Sequence, residues 1–169
     1  MKYALLLFFL SGGLLTVVHA QELKAAVTAC PSTTTLDELV VALDAAVSGP
    51  ANKDRACLRD VLLPEARLSP IVKAQDGTYA PHLLTVDDWI NAVAKRGDTP
   101  LYEVQVKAER LTFAHMAHLW CHYEIRSTPD GPATVTGINS IQAVFDGTRW
   151  RVLTVLWEPG APAPPVEKK

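Results

Sequence analysis

The chain has 169 residues, 49% of them hydrophobic and 20% charged, with 16 basic against 18 acidic side chains and a formal net charge of −2. That length suits one domain able to bury a core without disulfide staples. Lysine and arginine are scattered rather than gathered in a stripe or run, which argues against nucleic acid and anionic membranes as partners.

Residues 1–20 open with Lys2, continue through the apolar run ALLLFFLSGGLLTVV and close on Val18-His19-Ala20, a small-residue pattern of the kind read by signal peptidase. The expectation is a cleaved signal peptide and an exported protein, periplasmic or extracellular, with no membrane association after cleavage. A membrane anchor fits less well, because the run is short for a span of about 20 residues and Gly12-Gly13 interrupts it. A lipoprotein would need a cysteine beside the apolar run, whereas Cys30 lies beyond Glu22 and Lys24. Residues 21–34, small and polar, read as a linker, and residues 159–169 (PGAPAPPVEKK) as a Pro-rich tail that cannot bury a core. The folded domain is expected over 35–158.

Within it, Thr35 precedes LDELVVALDAAV with Glu38 three residues on, a capping-box pattern, and Leu36, Leu39, Val40, Leu43 and Val47 form one helical stripe. Ser48-Gly49-Pro50 ends this helix. Asp54 can cap a second helix through Leu63, which Pro64 stops. Arg67 to Val72 is a short strand candidate, Asp76-Gly77 a turn, and Thr85 to Asp88 the start of a third helix carrying Trp89, Ile90 and Val93 and closed by Gly97. Beyond Pro100 strands follow: Leu101 to Thr112, Ala114 to Thr128, and a hairpin from Gly137 to Glu158 about the turn Asp146-Gly147. Helices gathered ahead of a meander argue an α+β fold with the helices on one face of an antiparallel sheet.

Three cysteines in an oxidising compartment leave two arrangements open. Either Cys30 pairs with Cys57, or Cys57 and Cys121 are small buried hydrophobes and Cys30 alone is exposed.

The order helix, helix, short strand, helix, long meander resembles the nuclear transport factor 2-like superfamily, also called SnoaL-like. The resemblance rests on LDELVVALDAAVSGP, on LLPEARL at the exit of the second helix, and on the DGTRWRV hairpin. Segments similar to LYEVQV, AHLWCHYEIR and GINSIQ place it near a secreted bacterial branch. The resemblance implies a cone-shaped curved sheet with about three N-terminal helices packed on its concave face, enclosing a pocket. It implies no single activity, since the superfamily holds isomerases, dehydratases, epoxide hydrolases, cyclases and transport adaptors.

His115, His118, His122 and Glu124 form the densest set of metal-capable side chains. Trp120, Tyr123 and Ile125 favour a strand there, and residues four apart on a strand lie about 13 Å from each other, too far to share an ion. No metal and no cofactor are expected. On that strand Ala117, Leu119, Cys121, Tyr123 and Ile125 form the apolar, inward face. His118, Trp120 and His122 then lie on the convex face with Gln142, Arg151 and Trp157, a mixed aromatic and polar surface suited to a symmetric homodimer. The plainer alternative is scattered surface aromatics covered by the tail.

On the concave side Tyr123, Asn139 and Thr154 are polar among apolar neighbours, and Trp89 and Tyr102 can join them, giving a pocket for a small apolar ligand. Equally, Tyr123 and Asn139 can simply satisfy each other or the backbone. For catalysis the pocket needs a carboxylate. Alternation turns Glu124 away from Tyr123 and Glu103 away from Tyr102, Asp37 and Asp44 lie off the apolar stripe, and Asp87 and Asp88 suit a helix N-terminus. His82, just ahead of the third helix, is the remaining candidate base. The sequence thus points to an exported ligand-binding or dimeric interaction module, with a hydrolase, dehydratase or isomerase as the alternative use of the pocket.

Overall fold

The computed structural model describes residues 29–160, so the expected signal peptide, residues 21–28 of the linker and residues 161–169 of the tail lie outside the described residues. In chain order the elements are α1 (Leu36–Val47), α2 (Ala56–Val61), β1 (Leu62–Lys73), β2 (Tyr79–Pro81), α3 (Val86–Ala94), β3 (Tyr102–Phe113), β4 (Met116–Arg126), β5 (Ala133–Phe145) and β6 (Trp150–Pro159). The fold is α+β, with three helices and one curved six-stranded sheet ordered β2-β1-β6-β5-β4-β3.

Helix α1 starts on a capping box in which Thr35 and Glu38 satisfy each other's backbone N–H groups. It buries Leu39, Leu43 and Val47, one turn apart, against the sheet core. Its last turn carries no basic residue of its own. Lys53 and Arg55 reach back from the following loop instead, donating to the carbonyls of Ala45, Val47 and Ser48. The second helix ends at Val61 rather than at the expected Leu63, because Leu62 already pairs with Val152 of β6.

Strand β1 is accordingly twelve residues long, not the short Arg67 to Val72 piece expected. Its ladder is interrupted between Leu62 and Arg67, and Pro64, which has no N–H to give, sits in that gap. β1 runs parallel to β6, which corrects the expectation of a wholly antiparallel sheet. The remaining pairs are antiparallel. A parallel pair between segments so far apart in the chain has no turn to announce it.

Two irregularities decide which side chains face inward. Between β5 and β6 the register steps from Gln142 opposite Thr154 to Ala143 opposite Val152, leaving Leu153 as an extra residue. Between β3 and β4 it steps from Gln105 opposite Tyr123 to Lys107 opposite His122, leaving Val106 extra. Each is a β-bulge, and each inverts the side-chain alternation of the strand beyond it.

The core joins Leu39, Leu58, Leu62, Leu119, Ile141 and Val152, all within 1% of full burial. Tyr123 is buried on the inner face over Gly137, where any added Cβ would fall 2.5 Å from the Tyr123 hydroxyl and against the Glu158 carbonyl. Only glycine lets the ring lie flat there. Cys30 and Cys57 form a disulfide, and Cys121 is free and buried. With the bridge, the Thr33 carbonyl accepting from Trp150 N (2.8 Å) fastens the last residues of the expected linker to the hairpin.

The bridge spans 27 positions. Its reduction, or Cys57→Ser, is expected to cost about 3 kcal/mol of unfolding free energy, read as a lower denaturant midpoint with a somewhat steeper slope, since the unbridged denatured chain exposes more surface.

Candidate functional site

Below the inner face of the sheet lies a cavity of about 240 Å³. Its walls are apolar, with Leu43 and Val47 from α1, Trp89 and Val93 from α3, and Val155 and Trp157 from β6. Three polar residues interrupt them: Glu103, Asn139 and, exposed just beyond the end of α3, Arg96.

The position of Glu103 follows from how the edge of the sheet is closed. β3 is an edge strand, and the outward backbone groups at its start, Leu101 to Gln105, are taken up by the C-terminal half of α1 and the residues after it. Gly49 and Leu101 exchange two backbone hydrogen bonds (2.6 and 3.0 Å). The Ser48 hydroxyl donates to the Glu103 carbonyl and accepts from the Glu103 N–H, both at 2.9 Å. The Gln105 N–H donates to Asp44 Oδ2 (2.9 Å). A helix therefore covers what would otherwise be an open strand edge, and the carboxyl of Glu103 is trapped on the inner side.

There Glu103 Oε1 accepts from Asn139 Nδ2 (3.0 Å) and Gln105 Nε2 (2.9 Å), and Asn139 Nδ2 also reaches Gln105 Oε1 (3.2 Å). Burial pushes the Glu103 carboxyl up to about 7; the Asn139 bond opposes this, the Asp44 charge adds to it, and the Gln105 bond opposes it. Asp44 rises to about 6, again through burial, held back by the Gln105 backbone and side chain. Its Oδ1 is buried without a partner. Asp44 and Glu103 also border a second cleft of about 250 Å³ on the far side of α1. The arrangement holds a carboxyl that changes charge near neutrality at the wall of a mostly apolar cavity, a group able to donate, accept or transfer a proton.

Of the sequence candidates, Trp89 and Asn139 line the cavity, while Tyr123 is buried beside it over Gly137. Three others lie elsewhere. Tyr102 pairs with Arg126 and points to the outer face, because the Val106 bulge exchanges its parity with that of Glu103. Thr154 pairs with Gln142 on the outer face, because the Leu153 bulge inverts β6. His82 is exposed, its N–H bonded to the Pro70 carbonyl, and does not line the cavity. Trp157, expected on the convex face, is turned inward by the same Leu153 bulge, opposite Asn139, and forms part of the cavity wall.

His118, Trp120, His122 and Gln142 do share the outer face, His118 bonding to Ser140 Oγ (3.0 Å). Arg151 is on that side too, but its guanidinium is occupied by the Leu62 carbonyl (2.5 Å). Beside this set Leu111, Phe113, Met116 and Trp120 are 44–73% exposed. Among the described residues no three His, Cys, Asp or Glu side chains converge to hold a metal.

Sequence reasoning missed Glu103, Gln105, Asp44 and Arg96. In LYEVQV the apolar members Tyr102 and Val104 suggest the inward set, yet the outer face is itself apolar, so hydropathy does not separate the two sides.

No family model matches the chain, and no curated protein matches it in sequence. Solved structures do resemble it. A protein from Kribbella flavida superposes with a TM-score of 0.53 at 14% identity over 74% of this chain and 90% of that one. A nuclear transport factor 2-like protein of unknown function from Shewanella baltica gives 0.51 at 10% identity over 78% and 100%. A protein of unknown function with a cystatin-like fold from Nostoc punctiforme gives 0.50 at 13% identity over 79% and 98%. At these identities the likeness is one of fold: the chain has the nuclear transport factor 2-like fold.

Glu103 and Asp44 bind protons more tightly in the folded chain than their ordinary values of 4.5 and 3.8 imply. Their contribution to stability is full below those values and is lost as the pH rises through about 6 for Asp44 and about 7 for Glu103. The melting temperature is therefore expected to fall between pH 5 and pH 8, and Glu103→Gln to flatten most of that slope in a calorimetric series.

Proposed function

We propose that this is an exported, cone-shaped binding module whose inner cavity holds a small, largely apolar molecule. The single observation supporting this most directly is the cavity of about 240 Å³ bordered by Trp89 and Trp157 with the Glu103–Asn139 pair set into its wall. A few hydrogen-bonding groups in an apolar, concave volume are what orients a small ligand while burial supplies the affinity. The volume suits on the order of a dozen non-hydrogen atoms at protein-like packing density.

Native mass spectrometry of the mature protein from an exported source tests this. A stoichiometric adduct is expected in the natural chain and is expected to disappear in Leu43→Trp, whose added ring occupies the cavity. A clean, adduct-free spectrum that is identical in the two proteins sinks the reading.

A second reading, acid–base catalysis by a hydrolase, dehydratase or isomerase, is favoured by one observation: the Glu103 carboxyl is raised to about 7 at the cavity wall. Under that reading Glu103→Gln abolishes turnover of a small apolar substrate with the fold intact, whereas a pure binding module keeps its ligand.

The outer face supports a homodimer as the companion role. Leu111, Phe113, Met116 and Trp120 expose apolar surface on one side of the sheet, with His118, His122 and Gln142 among them. A second copy applied sheet to sheet buries that surface symmetrically. Trp120→Glu is expected to give monomers by sedimentation velocity, and an unchanged dimer would overturn the outer face as the interface.

A further inference from the structure

We propose that the cavity selects a small apolar molecule carrying one anionic head, a carboxylate, with the head at Arg96 and the apolar body against Trp89 and Trp157. This rests on the binding-pocket reading above and names the chemistry of the ligand.

The charges around the cavity are not evenly placed. Arg96, exposed, contributes a guanidinium to the lining and forms no ion pair with a carboxylate among the described residues. Behind the cavity wall a second guanidinium, Arg55, is 2% exposed and lies 5.9 Å from the centroid of the Trp89 ring. Its terminal nitrogens donate only to backbone carbonyls, those of Val47, Pro50, Ala51 and Lys53, and its Nε is buried with no partner. No carboxylate among the described residues neutralises it, so its charge remains in the local field. Burial first, and the Arg96 charge second, hold Arg55 below the usual guanidinium value, which puts the two cations within electrostatic reach of each other. A ligand head that enters beside Arg96 meets its guanidinium directly and the field of the buried Arg55 behind it.

The acidic end does not counter this preference. Glu103 already accepts two amide N–H bonds on Oε1, and burial together with the Asp44 charge on α1 favours its neutral form. Around it stand Gln105 on β3, Tyr123 and Cys121 on β4, and Asn139 on β5, none of them cationic near neutral pH. Arg126, which borders the outer cleft with Asp44 and Glu103, is engaged by Glu124 (2.7 Å). A cationic head placed at Glu103 would therefore need that carboxyl to ionise against its burial, whereas a neutral carboxyl tolerates an anion at the other end of the cavity. As Glu103 and Asp44 ionise, the field turns less positive and a bound anion is weakened.

Three probes with one tail separate the possibilities: 4-phenylbutanoate, 4-phenylbutanol and 4-phenylbutylamine, titrated calorimetrically into the mature protein at about pH 6 and about pH 8. The carboxylate is expected to bind at least tenfold tighter than the amine at the lower pH and to weaken severalfold at the higher one. Arg96→Gln, at an exposed position, is expected to remove about tenfold from the carboxylate and leave the alcohol unchanged. Glu103→Gln is expected to remove most of the pH dependence, the remainder belonging to Asp44. An amine that binds as tightly as the carboxylate, or an Arg96→Gln variant that binds it equally well, overturns the anionic head while the pocket stands. Failure of all three probes to bind, with tryptophan emission unmoved, overturns the pocket reading together with it.

Discussion

The closure of the β3 edge by α1 is the contact on which the site depends. An edge strand offers backbone donors and acceptors to any passing chain. Here Gly49 takes the Leu101 pair, Ser48 both groups of Glu103, and Asp44 the N–H of Gln105. The helix is thereby docked at the height of the cavity, its Leu43 and Val47 become cavity wall, and Glu103 is left half-buried between two clefts. The raised proton affinity of Glu103 follows from that docking, since burial is its largest cause. One set of hydrogen bonds thus protects the sheet, positions an apolar wall and keeps a carboxyl close to neutrality.

Around this contact the sheet presents two surfaces of different composition. The inner face is closed by helices and holds a small volume with polar groups at defined points. Among the described residues the outer face has no such cover and displays Leu111, Phe113, Met116 and Trp120. The two faces share strands, so a change of register in β3 or β6 moves side chains from one face to the other. Trp157 shows how large that effect is, since a single extra residue at Leu153 places a tryptophan in the cavity wall instead of on the open face.

Much of the fold was legible in the sequence. The capping boxes at Thr35 and Thr85, the Asp146-Gly147 hairpin, and the inward faces of β4 and β5 all carry local signals: a hydroxyl three residues before a carboxylate, a turn dipeptide, and strict alternation. The site was legible only in part. Trp89 and Asn139 sit where amphipathic periodicity places them, on α3 and on the stretch of β5 from Val135 to Gln142, whose register against β4 is unbroken. Glu103 was hidden because its strand contains an extra residue and its opposite face is equally apolar.

By itself the sequence determined the α+β class, the three helices in their order, the run of strands after the third, and the faces of segments whose alternation runs unbroken, because those depend on contacts between near neighbours. Tertiary structure alone decided the parallel pairing of β1 with β6, the parity of β3 and β6 beyond their bulges, and the company that Glu103 keeps. Register is settled by how whole strands pack, and proton affinity by which groups that packing brings together. Both are properties of long-range contacts that no local run of residues encodes.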